Sequence, residues 1–230
     1  MKSNRSSLLS RIVIALVTAG LTACATTAPL PETTEDGLQK ISVKGIDVAY
    51  SRPGASLAPY KRIMLDPADV AFSKDWDPQK TGSRMRLSEK EREEIRSGLA
   101  RLFDKTFKEE LEKGGYPVVD QAAPDVLRVT AGLIDVYINA PDVMTPGRST
   151  TYVVNAGRMT LVAEFRDAET GAILARVADQ REARDDMFLQ MSSSVENSAE
   201  ARAMIANWAR ILRSRLDAVR MQPAAMQPAT

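Results

Sequence analysis

The sequence predicts an α+β domain: a mixed, mostly antiparallel sheet, with elements in the order β-α-β-β-β-α and two amphipathic helices on one face. Three observations carry this reading. A short apolar run, "KRIMLD", is stopped by Pro67. Two long stretches place apolar residues at helical spacing between clear start and stop signals. Between those helices, three consecutive stretches alternate with the period of a strand.

Taken in order, residues 61–66 read as a buried strand, because proline cannot continue a central ladder. Ser88-Glu89-Lys90-Glu91 has the spacing of a capping box, in which serine and glutamate satisfy free backbone donors. Ile95, Leu99, Leu102, Phe103 and Thr106 then follow on one helical face, and Gly114-Gly115 with Pro117 ends the helix. In "DVLRVTAGLIDVYI", Leu127, Val129 and Ala131 share one parity, whereas Ile134, Val136 and Ile138 share the other. A strand has period two, so the change demands one extra residue, and we expect a bulge near Gly132.

"RMTLVAEFR" alternates cleanly, with Met159, Leu161, Ala163 and Phe165 facing inward. Residues 167–171, "DAETG", read as a hairpin turn in which Gly171 supplies positive φ, and "AILARVADQR" returns beside it. The last helix is expected from about Asn197, capped with Glu200. Its apolar stripe is Met204, Ile205, Trp208, Ile211, Leu212, Leu216 and Val219. The first two strands are joined through a helix, which predicts parallel pairing; the last three form an antiparallel meander.

The N-terminus carries a different message. Lys2, Arg5 and Arg11 lead into the apolar run Ile12–Leu21, a secretory signal pattern too short to span a bilayer. Leu21-Thr22-Ala23-Cys24 closes it and resembles the lipobox of bacterial lipoproteins. That resemblance implies cleavage before Cys24, a diacylglycerol thioether and a fatty-acyl (palmitate-type) amide. Several chains on one residue anchor a protein firmly to a membrane without a spanning helix. The absence of aspartate after Cys24 implies the outer membrane, on its periplasmic side. Cys24 is the single cysteine of the chain, which suits an oxidising compartment.

The expected organisation is a cleaved signal at 1–23, a lipidated, flexible tether at 24–37, a single periplasmic domain at 38–220 and a disordered tail at 221–230. Removal of the leader takes three cations from 31 and leaves 28 against 30 acids, a balance of −2. That balance opposes non-specific nucleic-acid binding.

The chemistry on offer is sparse. The chain has no histidine, which excludes Ser-His-Asp and Cys-His nucleophilic sites and removes the commonest zinc ligand. No glycine-rich phosphate loop occurs. We expect no catalytic residues, no metal and no cofactor. Asp66, Asp69, Asp75 and Asp77 could supply a pair of acids for glycosidic cleavage, but acids beside proline are ordinary turn chemistry, and the structural reading is preferred. "ADQREARDD" reads as a solvated edge. Arg128, Arg158, Arg166 and Arg176 alternate away from the core and form a candidate surface for an acidic partner. The simpler alternative is a solvated face in which Glu164 pairs across strands. Residues 139–152 and the apolar 187–191 are candidate contact loops.

"SRPGASLAPYKRIMLDPADVAFSKDWDP" and "RDAETGAILARVADQR" together resemble a family of uncharacterised Gram-negative lipoproteins, a domain of unknown function. The resemblance covers roughly residues 38 to 220. It implies a lipoprotein with one α/β domain and supplies no catalytic residues. The expected function is therefore a non-enzymatic envelope module, held to the membrane through Cys24 and binding a protein partner. The alternatives are a glycan or small-ligand module using the arginine face, and a carboxylate-based hydrolase.

Overall fold

The computed structural model describes residues 29–77, 88–138, 156–182 and 194–221. Among these residues, seven strands form one sheet: β1 (Gln39–Val43), β2 (Ile46–Ser51), β3 (Arg62–Leu65), β4 (Asp69–Phe72), β5 (Val126–Ile138), β6 (Ala156–Asp167) and β7 (Ile173–Glu182). The helices are α1 (Glu89–Lys113) and α2 (Ser194–Met221). The strand order is β1-β2-β7-β6-β5-β3, with β4 also paired to β5. The predicted α+β class holds, and so do the parallel β3–β5 pair and the antiparallel β5-β6-β7 meander.

Three strands were not anticipated. β1 and β2 add a hairpin beyond β7, and β4 follows β3 along the same edge of β5. β2 hides its period because Ala49 and Tyr50 are both buried, so neighbouring side chains on opposite faces are covered. β3 and β4 are one strand broken by Pro67, which has no N–H to give. Asp66 N–H still reaches Val129 carbonyl oxygen at 3.0 Å. Beyond the proline, the Ala68 N–H turns away to the Asp104 carboxylate of α1 at 3.1 Å.

The parity change in β5 is present but lies further along than Gly132. Leu133 is buried, Ile134 is exposed and Val136 is buried again. The extra residue is Asp135, at φ 49°, where the pairing steps from Ile134↔Thr160 to Tyr137↔Arg158. β4 follows the same step, from Val70↔Leu133 to Phe72↔Val136. A bulge adjacent to both neighbours reshapes the whole edge.

Ser88 caps α1 with the reciprocal bonds of a capping box, and Gly114 ends it, with Gly115 at φ 78°. Ile95, Leu99, Phe103, Phe107 and Leu111 enter the core. α2 begins three residues before Asn197, so Asn197 lies inside the helix rather than capping it. α2 contributes Ala201, Ile205, Trp208, Ala209, Leu212 and Leu216 to the same buried cluster as Leu127, Val129, Leu133, Met159 and Leu161. α2 also reaches the β1–β2 turn, where a Cβ on Gly45 would sit 3.2 Å from Ile211 Cδ1. No described helix is long and apolar enough to cross a membrane.

The described residues from Pro31 onward belong to one compact unit. Residues 31–37, expected as tether, are bonded to the sheet. At the other end α2 runs to Met221, one residue into the expected tail.

Candidate functional site

Among the described residues, both helices pack on one sheet face, and the cross-strand registers place the predicted arginines on the other. Arg128 lies directly opposite Arg166, Thr130 opposite Glu164, and Glu164 opposite Arg176. Tyr50 of β2 continues that last row beside Arg176. Three of the four arginines therefore cluster. Arg158 lies eight residues back along β6, roughly 26 Å away at strand rise. It rests over the Tyr137 ring at 5.7 Å, with Asp75 at 4.0 Å.

The clustered arginines have carboxylate partners. Arg128 Nε donates to Asp66 at 2.9 Å, and Thr130 Oγ1 donates to the same oxygen at 2.6 Å. Burial would raise the Asp66 carboxyl, but these donors outweigh it and hold the group below its ordinary value. Glu164 accepts from Arg166 Nε at 2.6 Å and Arg176 Nε at 2.7 Å. Burial again pushes upward, and again the two guanidiniums win and hold Glu164 low. Arg176 also pairs with Asp36 at 2.8 Å. The face thus carries two ionic chains, Asp66–Arg128 and Arg166–Glu164–Arg176–Asp36. Like charges opposed in a sheet cost stability, and here the Arg128–Arg166 juxtaposition is offset by flanking acids. Each guanidinium has five donors, so the exposed edges of Arg128, Arg166 and Arg176 can still take carboxylate or phosphate oxygens.

The acids considered for catalysis are dispersed in role. Asp66 belongs to the arginine face. Asp75 is exposed, bonded by Ser73 and faced by Arg158; the Ser73 hydroxyl is the main reason its carboxyl sits low. Asp69 is an exposed residue of β4. Glycosidic cleavage needs an acid held protonated, and both Asp66 and Asp75 are shifted the other way. Asp104, which sequence reasoning did not single out, is raised by burial, and its task is to hold the Ala68 N–H.

The two quoted family segments meet in space. Tyr60 Oη donates to Asp167 Oδ2 at 2.9 Å. Asp167 Oδ1 meanwhile accepts from the Glu169 and Thr170 N–H groups and the Thr170 hydroxyl, closing the β6–β7 turn, with Gly171 at φ 72° as expected. Burial first, then Asp167, pushes the Tyr60 hydroxyl up to about 12. Burial and then the Asp217 bond do the same for Tyr116, also to about 12. A raised folded value favours the folded state fully below the unfolded value of about 10, and that contribution is lost as pH rises through 12. The urea midpoint should therefore fall between about pH 10 and 12, in step with tyrosinate absorbance. A Tyr60→Phe/Tyr116→Phe chain should lose most of that slope, and an unchanged slope would refute the assignment.

"ADQREARDD" is not a solvated edge throughout. Asp179 is 1% exposed and accepts from Trp208 Nε1 at 2.7 Å, Arg181 Nε at 2.6 Å and Asp47 N–H at 3.0 Å. The signal was present in the alternation, since Ala175, Val177 and Asp179 share one parity. Trp208 is core, as its spacing implied. Leu21, Thr22, Ala23, Cys24, the 139–152 loop and the 187–191 loop lie outside the described residues.

A family model described as "Protein of unknown function (DUF3313)" matches residues 33–212. No curated protein matches the chain. Among solved structures, a PelC dodecamer from Paraburkholderia phytofirmans is 12% identical, covering 76% of this chain and 96% of that one, at a TM-score of 0.36. A minor lipoprotein from Acinetobacter baumannii is 12% identical, covering 71% and 98%, at 0.33. A DUF4136 family protein from Bacteroides thetaiotaomicron is 12% identical, covering 73% and 95%, at 0.36. Scores this low carry nothing further.

Proposed function

This chain belongs to the DUF3313 family of proteins of unknown function, and from that premise we propose that it is a lipid-anchored envelope protein that works by binding a protein partner. The observation that carries the proposal is the sequence Leu21-Thr22-Ala23-Cys24, placed directly after a charged and apolar leader and holding the only thiol of the chain. Acylation there would place the protein in the membrane through Cys24, on the periplasmic side of the outer membrane. The binding role, rather than catalysis, is supported by the carboxylates: Asp66, Glu164 and Asp75 serve arginines or hydroxyls, and Asp104 serves a backbone N–H.

The partner surface we assign is the helix-free sheet face around Arg128 and Arg166, joined at distance by Arg158. Arg176 completes the cluster and is shared with Asp36.

Cys24→Ser protein should leave the membrane fraction almost completely. Intact mass of the wild-type N-terminal peptide should show the acyl chains, and a peptide without them would sink the anchor. In-cell cross-linking with mass spectrometry then tests the binding role. A variant with Arg128, Arg158 and Arg166 changed to Gln, folded and anchored, should capture the dominant partner at least several-fold less. Undiminished capture would remove the arginine face. No partner above background, with binding of a purified envelope glycan instead, would favour a ligand-binding module.

A further inference from the structure

The first eight residues of the compact unit are held against the sheet at several points. Tyr50 is only 8% exposed, and its hydroxyl donates to the Pro31 carbonyl oxygen at 2.8 Å. Lys40 N–H donates to the Glu32 carbonyl at 2.9 Å. Thr34 and Leu38 close a turn in both directions: Thr34 N–H to the Leu38 carbonyl at 2.8 Å, and Leu38 N–H to Thr34 Oγ1 at 3.0 Å. Gly37 takes φ 81° within that turn, which a glycine adopts without strain. Asp36 pairs with Arg176, and Leu38 is fully buried. The points of attachment are on β1, β2 and β7, on the face without helices.

Resting on the lipid-anchor reading, we infer that Pro31–Leu38 is a latch that shortens the tether and sets the height of the domain above its membrane. Seven peptide steps separate Cys24 from Pro31. Even fully extended they span only about 25 Å. Were the chain free up to Leu38, fourteen steps would reach about 50 Å. A domain of this size has a radius of gyration of roughly 16 Å, so the latched reach is less than the domain's own width. The partner such a module meets must then come within that short reach of the same membrane.

The test uses the lipidated protein purified from membranes and reconstituted into a supported phosphatidylcholine bilayer, with neutron reflectometry to read the protein layer. Wild-type density should begin at the headgroups and extend about one domain width. Two variants are compared: Tyr50→Phe with Asp36→Asn, Thr34→Ala and Leu38→Ser, which removes the side-chain ties and the buried anchor of the latch, and an eight-residue Gly/Ser insertion between Leu30 and Pro31, which lengthens the tether and leaves the latch intact. Both should move the layer's outer edge out by on the order of 10–25 Å. Movement with the insertion but not with the folded latch variant would overturn the inference. If the latch variant does not fold, amide exchange of the wild-type protein decides. Protection of Gly37, Leu38 and Lys40 supports the latch, and exchange at free-chain rates overturns it. Absence of acyl chains on Cys24 would remove the anchor proposal while leaving the exchange result intact, so the two failures are distinguishable.

Discussion

Asp179→Ala should destabilise the domain by about 3 kcal/mol, one of the largest losses available to a single side chain here. The carboxylate ties together three elements. On one side it accepts the indole N–H of Trp208 from α2, a residue 2% exposed. On the other it takes the Asp47 N–H of β2, while Asp47 Oδ2 accepts the Gln180 N–H at 2.9 Å in return. Arg181 completes the charge balance, and its far end donates to the Gly45 carbonyl at 2.6 Å. Regular β2–β7 pairing runs only as far as Val48↔Ala178, so these bonds replace the ladder at that end. Alanine would strand the indole donor in the core and open a small void. Arg181 is a third exposed and would recover water, which keeps the total near 3 rather than 5 kcal/mol.

Urea unfolding of the wild-type, Asp179→Ala, Trp208→Phe and double variants would measure it. The double-mutant cycle should give a coupling of about 1–2 kcal/mol, because phenylalanine leaves no donor to strand. A loss below about 1 kcal/mol for Asp179→Ala would mean the acid is not a structural hub. Its burial would then require another explanation.

What the sequence made legible was governed by cooperation between local signals. α1 was readable because a capping box, a single apolar face and a paired-glycine stop all agree. β6 and β7 were readable because one face is buried and the other wet, so the period of two survives. β2 was not, because Tyr50 on the outer face is covered by residues 31–38 while Ala49 is covered from the helix side. The same covering segment, rich in Thr and Glu with one Pro, has the composition of a linker; its order comes from tertiary partners such as Tyr50 and Arg176 that local composition cannot announce. The bulge illustrates a finer limit. Parity dictated that one residue must be extra, but glycine was the natural place to put it, and the chain placed it at Asp135 against local preference. The arginine face was legible as a row; that its carboxylate partners arrive from Asp66 and Asp36, distant in sequence, was not.

Trp76→Ala is expected to cost about 3–5 kcal/mol, and it separates a structural from a functional reading of the "KDW" segment that helped carry the family resemblance. The indole is 5% exposed. Its N–H donates to the Ile138 carbonyl at 2.9 Å, at the end of β5. Phe72 of β4 stacks on it with ring centroids 4.3 Å apart, and the Arg92 guanidinium from α1 lies 5.4 Å from its centre. Arg96 sits over Phe72 in the same way at 5.6 Å. The two rings and two guanidiniums clamp β4 to the first turns of α1, the region where Pro67 has already cost the sheet its continuity. Trp76→Phe keeps most of the packing and loses the bond to Ile138, so it should cost only about 1–2 kcal/mol. The loss should also be local: amide exchange should rise first in β4 and the start of α1, whereas Asp179→Ala should loosen β2, β7 and α2. If Trp76→Ala instead left stability within 1 kcal/mol of wild type and abolished partner capture, the indole would be a recognition group. A large, local loss of stability places this tryptophan in the scaffold.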